Sequence, residues 1–138
     1  MILRPARALT DLDYTRAVDG PGQVAVLVAD DDPGLRLLCR VNLELEGYRV
    51  LEAASAAEVN EALERDDVRA VLLDVHLGPD DGLQVARTLR ESHPDVGVAI
   101  FTGSVERSAT LNQFADGFLS KPFTLDALSA TVRELVRP

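Results

Sequence analysis

Acidic, hydroxyl and ammonium side chains follow four of the apolar runs in this chain. They stand directly after those runs and comprise Asp30, Asp31, Asp32, Asp74, Thr102 and Lys121. Grouped carboxylates repel one another unless a cation neutralises them, and an all-oxygen set suits Mg²⁺ or Mn²⁺ rather than zinc. Together these residue types could perform phosphoryl transfer, in which a carboxylate is the nucleophile and a metal, an ammonium and a hydroxyl stabilise the phosphoryl oxygens.

These side chains can meet only if the apolar runs before them lie side by side in one sheet. The runs predict strands at residues 24–29, 48–51, 70–73, 96–101 and 117–120. A helical pattern follows each strand, with starts at Pro33, Ser55, Gly82, about Val105 and Thr124. Pro33 suits a first helical position, and Ser55 with Glu58 three residues later forms a capping box.

This alternation predicts an α/β fold of five βα units. The expected architecture is a five-stranded parallel sheet, doubly wound, with helices on both faces in a flavodoxin-like three-layer sandwich. Because ligands in such folds bind at the carboxyl ends of the strands, the acids, Thr102 and Lys121 are expected to share one site.

Apolar spacing predicts which helical side chains face the core. In the helix that starts at Pro33, the predicted stripe is Leu35, Leu38, Val41 and Leu45, and Gly47 ends the helix. In the last helix the predicted stripe is Leu125, Leu128, Val132 and Leu135. Cys39 is the only cysteine, and its apolar neighbours predict a buried residue rather than a nucleophile.

Composition limits the class of protein. The 138 residues suit one domain, which we place at residues 23–138, after a flexible N-terminal extension at residues 1–22 that closes in Asp-Gly-Pro-Gly. A net charge of −9 argues against nucleic acid and anionic membrane as direct partners. The single cysteine precludes an intrachain disulfide and suits a cytoplasmic protein.

Each candidate site residue also has an ordinary structural explanation. The three consecutive aspartates could form a turn before a helix, where acids favour the helix dipole. Asp74 could be a loop acid, Thr102 a capping residue and Lys121 a solvated side chain. Their joint placement at four strand ends favours a site. Lys121 is, moreover, the only lysine among the 14 basic residues, and an ammonium differs from a guanidinium in reach and hydration.

Four segments between about residues 24 and 135 resemble the motifs of a response-regulator receiver domain of two-component signalling, in the family's order. They read VLVADDDPGLR, LLDVHLGPDDG, IFTG and FLSKPF. The resemblance implies that Asp74 is phosphorylated, and that Asp30, Asp31, Asp74 and the backbone carbonyl of His76 hold Mg²⁺ (or Mn²⁺). It further implies that Thr102 and Lys121 contact the phosphoryl group, that Thr102 and Phe118 form a switch, and that the bond before Pro122 is cis.

The same resemblance implies the partners. A sensor histidine kinase or a phosphotransfer protein would donate the phosphoryl group, and a downstream protein would receive the signal. The domain would catalyse only its own phosphorylation and dephosphorylation, and so would not be an enzyme acting on an external substrate. It is expected to be a monomer or a weak homodimer.

The sequence departs from the family pattern in three places. Gly78 stands where proline is usual, Phe118 stands where tyrosine is usual, and 19 residues separate Thr102 from Lys121, since 121 − 102 = 19. That interval is about one helical turn, ~3.6 residues, shorter than is usual. The fourth helix is therefore expected to be stunted, which puts the usual output surface in doubt.

Two alternatives belong to other classes. The short fourth helix would suit a phosphorylation-independent interaction module on the same fold. A flavodoxin-like FMN protein or a Mg²⁺ phosphatase would be an enzyme, but three aspartates after the first strand would repel an FMN phosphate, and no glycine-rich phosphate loop is present.

Overall fold

A computed structural model describes residues 23–102 and 109–137 of the chain. Its strands are β1 (Ala25–Ala29), β2 (Arg49–Ala53), β3 (Val68–Asp74), β4 (His76–Leu77), β5 (Asp80–Asp81), β6 (Gly97–Thr102) and β7 (Gly117–Ser120). Its helices are α1 (Pro33–Leu45), α2 (Ala56–Arg65), α3 (Gly82–Ser92), α4 (Ala109–Phe114) and α5 (Leu125–Leu135). The predicted extension at residues 1–22 lies outside the described residues.

The main sheet has five strands in the order β2-β1-β3-β6-β7, and every neighbouring pair is parallel. The doubly wound α/β fold is therefore confirmed. The chain leaves β1 first toward β2 on one side and later reaches β3 on the other, so strand order reverses at β1 and β3. Ligands in such sheets bind outside the carboxyl ends of the strands at that point.

Two hydrophobic layers cover the sheet because successive strand residues point to opposite faces. On one face, α1 and α5 contribute Cys39, Leu43, Leu128 and Val132 to the core. On the other face, α2 and α3 contribute Val59, Ala62, Val85, Ala86 and Leu89. β1 is buried at every residue and β3 at every residue except Arg69, which explains why both strands are mainly apolar.

Short polar side chains begin the helices at their predicted places. The cap residues Asp32, Ser55, Asp81 and Thr124 each accept a hydrogen bond from an amide two or three residues later. The capping box of α2 has one difference, because Glu58 accepts from the amide of Ala54 and not from that of Ser55. Asp32 is thus occupied by capping, so the helix-start explanation holds for this one of the three consecutive aspartates.

The predicted apolar stripe of α1 is wrong for three of its four residues. Cys39 and Leu43 are the fully buried side chains of the helix, and Leu35 is partly buried against the same cluster. Leu38, Val41 and Leu45 are exposed, Leu45 by 80%. Residues 35, 39 and 43 repeat every four positions and form the inner face. Residues 38, 41 and 45 also have helical spacing, but they form a second apolar face that is exposed.

The last helix needs a smaller correction. Leu128 and Val132 are buried and Leu135 is partly buried, as predicted, but Leu125 is exposed by 43% because it is the first helical residue. Cys39 is fully buried, as predicted, and burial raises the pKa of its thiol to about 12.

The predicted helix at residues 105–114 can be compared only in its second half, since residues 103–108 are outside the described part. Within that part, α4 covers six residues, Ala109–Phe114. None of the helices described is long and apolar enough to cross a membrane.

Candidate functional site

Three carboxylates meet at the carboxyl edge of the sheet. Asp30 follows β1, Asp31 is next in the chain, and Asp74 ends the adjacent strand β3. One oxygen from each lies within 4.8 Å of the others. Asp30 and Asp74 are buried, with 0% and 8% exposure, whereas Asp31 is exposed. The arrangement thus opens to solvent on the side of Asp31.

Every polar group of Asp30 is held in place. Its amide donates to the carbonyl of Ala53 at 3.0 Å, and its Oδ1 accepts from the amide of Asp32 at 2.9 Å. Its Oδ2 accepts from Lys121, and its carbonyl accepts from Arg36. Burial raises the pKa of Asp30, and the hydrogen bonds from Asp32 and Lys121 offset this only in part.

Lys121 joins the two buried carboxylates across the sheet. It follows β7, and its Nζ donates to Asp30 Oδ2 at 2.9 Å and to Asp74 Oδ2 at 3.0 Å. The same ammonium lies 5.3 Å from the centre of the Phe101 ring, within cation–π range. Burial lowers the pKa of Lys121, but its bonds to both aspartates outweigh burial, so the pKa lies above its ordinary value.

The second oxygen of Asp74 is held by its own loop. Oδ1 accepts from the amide of His76 at 3.0 Å. The strands β4 and β5 pair as a small antiparallel hairpin after β3, and Asp80 Oδ2 accepts from the amide of Ala56 at the start of α2. Gly78 lies in the turn with φ +60°, which the ring of proline excludes. That conformation explains the glycine where the family pattern has proline.

Several predicted site residues are placed without their roles being tested. His76 begins β4 with an exposed side chain, and its carbonyl as a metal ligand stays a prediction. Phe118 is partly buried in β7 against the core. Thr102 ends β6 opposite Ser120, but its side chain lies outside the described residues, so the switch stays a prediction too. The Lys121–Pro122 bond is cis.

Two residues at the site were assigned no role from the sequence. Arg36 donates from Nη1 to the carbonyl of Asp30 at 2.7 Å and from Nε to Glu52 at 2.9 Å. Arg36 belongs to the acidic motif segment and lies one turn after the cap residue Asp32, a spacing that places it over the start of the helix. Glu52 carries no comparable signal, because its partner comes from another element.

The donor set fits a hard divalent cation. It consists of carboxylate oxygens, two of them on buried side chains, with one exposed member that leaves room for water. These are the ligands that Mg²⁺ prefers. A divalent ion would add positive charge to a cluster in which Lys121 is the one side-chain cation hydrogen-bonded to a carboxylate of the trio within the described residues.

Replacing Lys121 with Met should destabilise the metal-free protein. Asp30 and Asp74 would lose their shared cation while remaining buried, and leaving buried charge unpaired is costly. Because the Lys121 side chain is 34% exposed, we expect a loss of about 2 kcal/mol in the free energy of unfolding, below the range for fully buried pairs. Urea unfolding in EDTA measures it.

The control for this prediction is Arg87→Gln. Arg87 pairs with Glu91 at 3.5 Å on the exposed surface of α3, where both side chains are more than half exposed. Such pairs contribute little, so this variant should unfold like the unaltered protein. Equal stability of Lys121→Met and the unaltered protein would contradict the structural role given to Lys121.

The chain is similar to known signalling proteins. A sequence model described as the response regulator receiver domain matches residues 26–133. The Response regulator MprA of Mycobacterium leprae (strain TN) is 40% identical over 115 residues, which cover 81% of this chain and 50% of that protein. The Sensor kinase CckA of Brucella abortus (strain 2308) is 36% identical over 126 residues, covering 88% of this chain and 13% of that protein. The chain thus spans half or less of these relatives.

Solved structures share the fold. A response regulator receiver domain protein (CheY-like) from Methanospirillum hungatei JF-1 superposes with a TM-score of 0.77 at 28% identity, over 83% of this chain and 94% of that one. A response regulator from Thermotoga maritima gives 0.73 at 28% identity, over 83% and 98%. The described architecture is therefore similar over nearly the whole length of these chains.

Proposed function

The chain belongs to the response-regulator receiver domain family of two-component signalling, and we propose that it accepts a phosphoryl group on the carboxylate of Asp74. One observation carries the proposal. Asp74 lies at the carboxyl edge of the sheet, where its Oδ2 is 3.0 Å from the ammonium of Lys121. One of its carboxylate oxygens lies within 4.8 Å of oxygens of Asp30 and Asp31.

The proposed reaction is attack by an Asp74 oxygen on the phosphorus of a phosphohistidine. An O–P bond forms, and the P–N bond breaks with its electron pair returning to the imidazole nitrogen. Lys121, which donates to Asp74 Oδ2 before the transfer, then donates its hydrogen bonds to phosphoryl oxygens instead. This donor stabilises the charge that the phosphoryl oxygens carry during transfer.

Asp30, Asp31 and Asp74 would hold a divalent cation, with Mg²⁺ as the leading candidate and Mn²⁺ as its substitute. When bound, the ion supplies positive charge that neutralises the phosphoryl oxygens. Asp30 is oriented for this role by its bonds to Ala53, Asp32 and Lys121. The backbone carbonyl of His76 is a further proposed ligand.

Membership of the family supports a proposal for the partners and the cellular setting. We propose a sensor histidine kinase or phosphotransfer protein as donor, and a downstream protein that distinguishes the phosphorylated state. The switch would act on a pre-existing equilibrium through Thr102 and Phe118. The domain would turn over only its own acyl phosphate, in the cytoplasm, without acting as an enzyme on another substrate.

Intact mass measures the proposed reaction directly. Incubation with acetyl phosphate and MgCl₂ should add one phosphoryl group to the unaltered protein. Asp74→Asn should abolish the addition, because an amide cannot serve as this nucleophile. Asp32→Asn is the matched control: Asp32 caps α1, and asparagine is an equally good cap, so labelling should persist.

Retained labelling of Asp74→Asn would refute the assignment of the phosphoacceptor. A protein that binds Mg²⁺ yet gains no mass would next be tested with a panel of purified histidine kinases. Failure there, together with equal affinity of a partner with and without phosphate donor, would favour the phosphorylation-independent interaction module.

A further inference from the structure

Arg36 bridges the acidic loop and the neighbouring strand. Its guanidinium donates to the carbonyl of Asp30 at 2.7 Å and to Glu52 Oε1 at 2.9 Å. The Arg36 side chain is 17% exposed and that of Glu52 is 25% exposed. A planar guanidinium with several donors in fixed directions can make both contacts at once.

Glu52 is itself fixed at both ends. It lies in β2, where it pairs with Val28 of β1, two residues before Asp30. Its other oxygen accepts from Arg40 Nη1 at 3.0 Å. The hydrogen bond to Glu52 raises the pKa of Arg40 above its ordinary value. The Arg36 guanidinium is therefore held by an anchored carboxylate.

The bond to the Asp30 carbonyl bears on the orientation of the next residue. The carbonyl of Asp30 belongs to the peptide plane that leads into Asp31, so a donor fixed on that oxygen limits the rotation of the plane. Asp31 is the exposed member of the carboxylate trio. Its place beside the buried carboxylates thus depends on the backbone that Arg36 holds.

We infer that Arg36, anchored by Glu52, is a positioning residue that orients the Asp30–Asp31 backbone for divalent cation binding. The inference rests on the proposed function, because it concerns the same cation site. It adds residues that touch neither the cation nor the phosphoryl group. Partners that orient metal ligands in this way commonly change metal affinity 10- to 100-fold when removed.

For the variant Arg36→Gln, electrostatics alone predicts a change in Mg²⁺ affinity opposite to the one that positioning predicts. Arg36→Gln removes a positive charge whose Nη1 lies 2.7 Å from an Asp30 backbone oxygen, close to the cation site. By Coulomb's law, that loss would tighten binding of Mg²⁺. Positioning predicts weaker binding, because the Asp30 carbonyl loses its donor. The direction of the change therefore separates the two explanations.

The test is isothermal titration of the full chain with MgCl₂. We expect the Kd for Mg²⁺ to rise roughly tenfold in Arg36→Gln, at the lower end of the range for residues that orient ligands. Arg36→Lys keeps the charge, but an ammonium lacks the fork that reaches both partners. The Kd of Arg36→Lys for Mg²⁺ should also rise, by roughly threefold, which on a logarithmic scale is about half of the tenfold rise expected for Arg36→Gln.

Arg49→Gln is the matched control. Arg49 lies in β2, the strand that carries Glu52, and forms an ion pair with Asp66 at 3.0 Å. This pair is buried to a similar extent as Arg36 and Glu52, with 23% and 21% exposure for its two side chains. Arg49 begins β2, at the opposite end of the sheet from the carboxylates. Its loss should lower stability without changing the Kd for Mg²⁺.

The outcomes are distinguishable. Unchanged or tighter Mg²⁺ binding by Arg36→Gln would overturn the inference and leave the proposed function standing. Should that variant fail to fold by circular dichroism, Arg36→Lys decides, and binding equal to that of the unaltered protein would overturn the inference. Absence of Mg²⁺ binding by the unaltered protein would instead count against the proposed function.

Discussion

Gly82→Ala is expected to lower the free energy of unfolding by about 3 kcal/mol, the upper part of the range for overpacking. A Cβ at this position would lie 2.4 Å from the carbonyl oxygens of both Asp74 and Val75. These are backbone atoms at the end of β3 and the start of the following loop, so no side chain can rotate away. The amide of Gly82 also donates to the Val75 carbonyl at 2.9 Å, which holds the helix start against the loop.

Gly34→Ala is the matched control. Gly34 is the second residue of α1 and Gly82 is the first residue of α3. Each lies in the first turn of a helix that an aspartate caps. A Cβ on Gly34 would meet only the Oδ1 of Asp32, at 3.3 Å, at the end of a side chain. Alanine is favoured over glycine within helices by about 1 kcal/mol, so Gly34→Ala should be neutral or slightly stabilising.

Urea unfolding of both variants in EDTA measures the difference, because EDTA removes any contribution from bound metal. The expected loss in Gly82→Ala opposes helix propensity, so its sign alone tests the close approach. Equal stabilities for the two alanine variants would mean that α3 can move away from Asp74 at little cost.

The site could be predicted because its members are tied to strand ends. A parallel sheet brings the carboxyl ends of its strands to one edge, so strand assignment alone placed Asp30, Asp74 and Lys121 together. The boundaries of the five predicted strands differ from the prediction by at most two residues: the run at 70–73 became Val68–Asp74, for example. Such errors do not move a residue to the other end of a strand, so the predicted cluster survived them.

Contacts between elements were harder to predict. Glu52 meets Arg36 only because β2 lies beside β1 and α1 packs against both strands. The close approach at Gly82 likewise depends on how α3 leaves the loop after β3. Neither relation has a period or a fixed spacing in the chain. Both require the three-dimensional arrangement of segments more than five residues apart.

The α1 stripe shows a different limit, since the helix is apolar on two faces. Residues at 35, 39 and 43 and residues at 38, 41 and 45 each have helical spacing, and periodicity cannot decide between two apolar faces. Packing decides, because the inner face must fit the surface of β1 and β2. Leu37 is exposed as well, so hydrophobicity alone overestimates burial along this helix.

A pair of leucines two residues apart tests that corrected face. Leu43 is fully buried with the core of α1 and α5, whereas Leu45 is 80% exposed at the end of the same helix. We expect Leu43→Ala to lower the free energy of unfolding by about 3 kcal/mol, through lost burial and the cavity left behind. Leu45→Ala should stay within about 0.5 kcal/mol of the unaltered protein. Urea unfolding distinguishes these values. Losses in the reverse order would restore the stripe predicted from the sequence and would place α1 on the sheet with a different rotation about its axis.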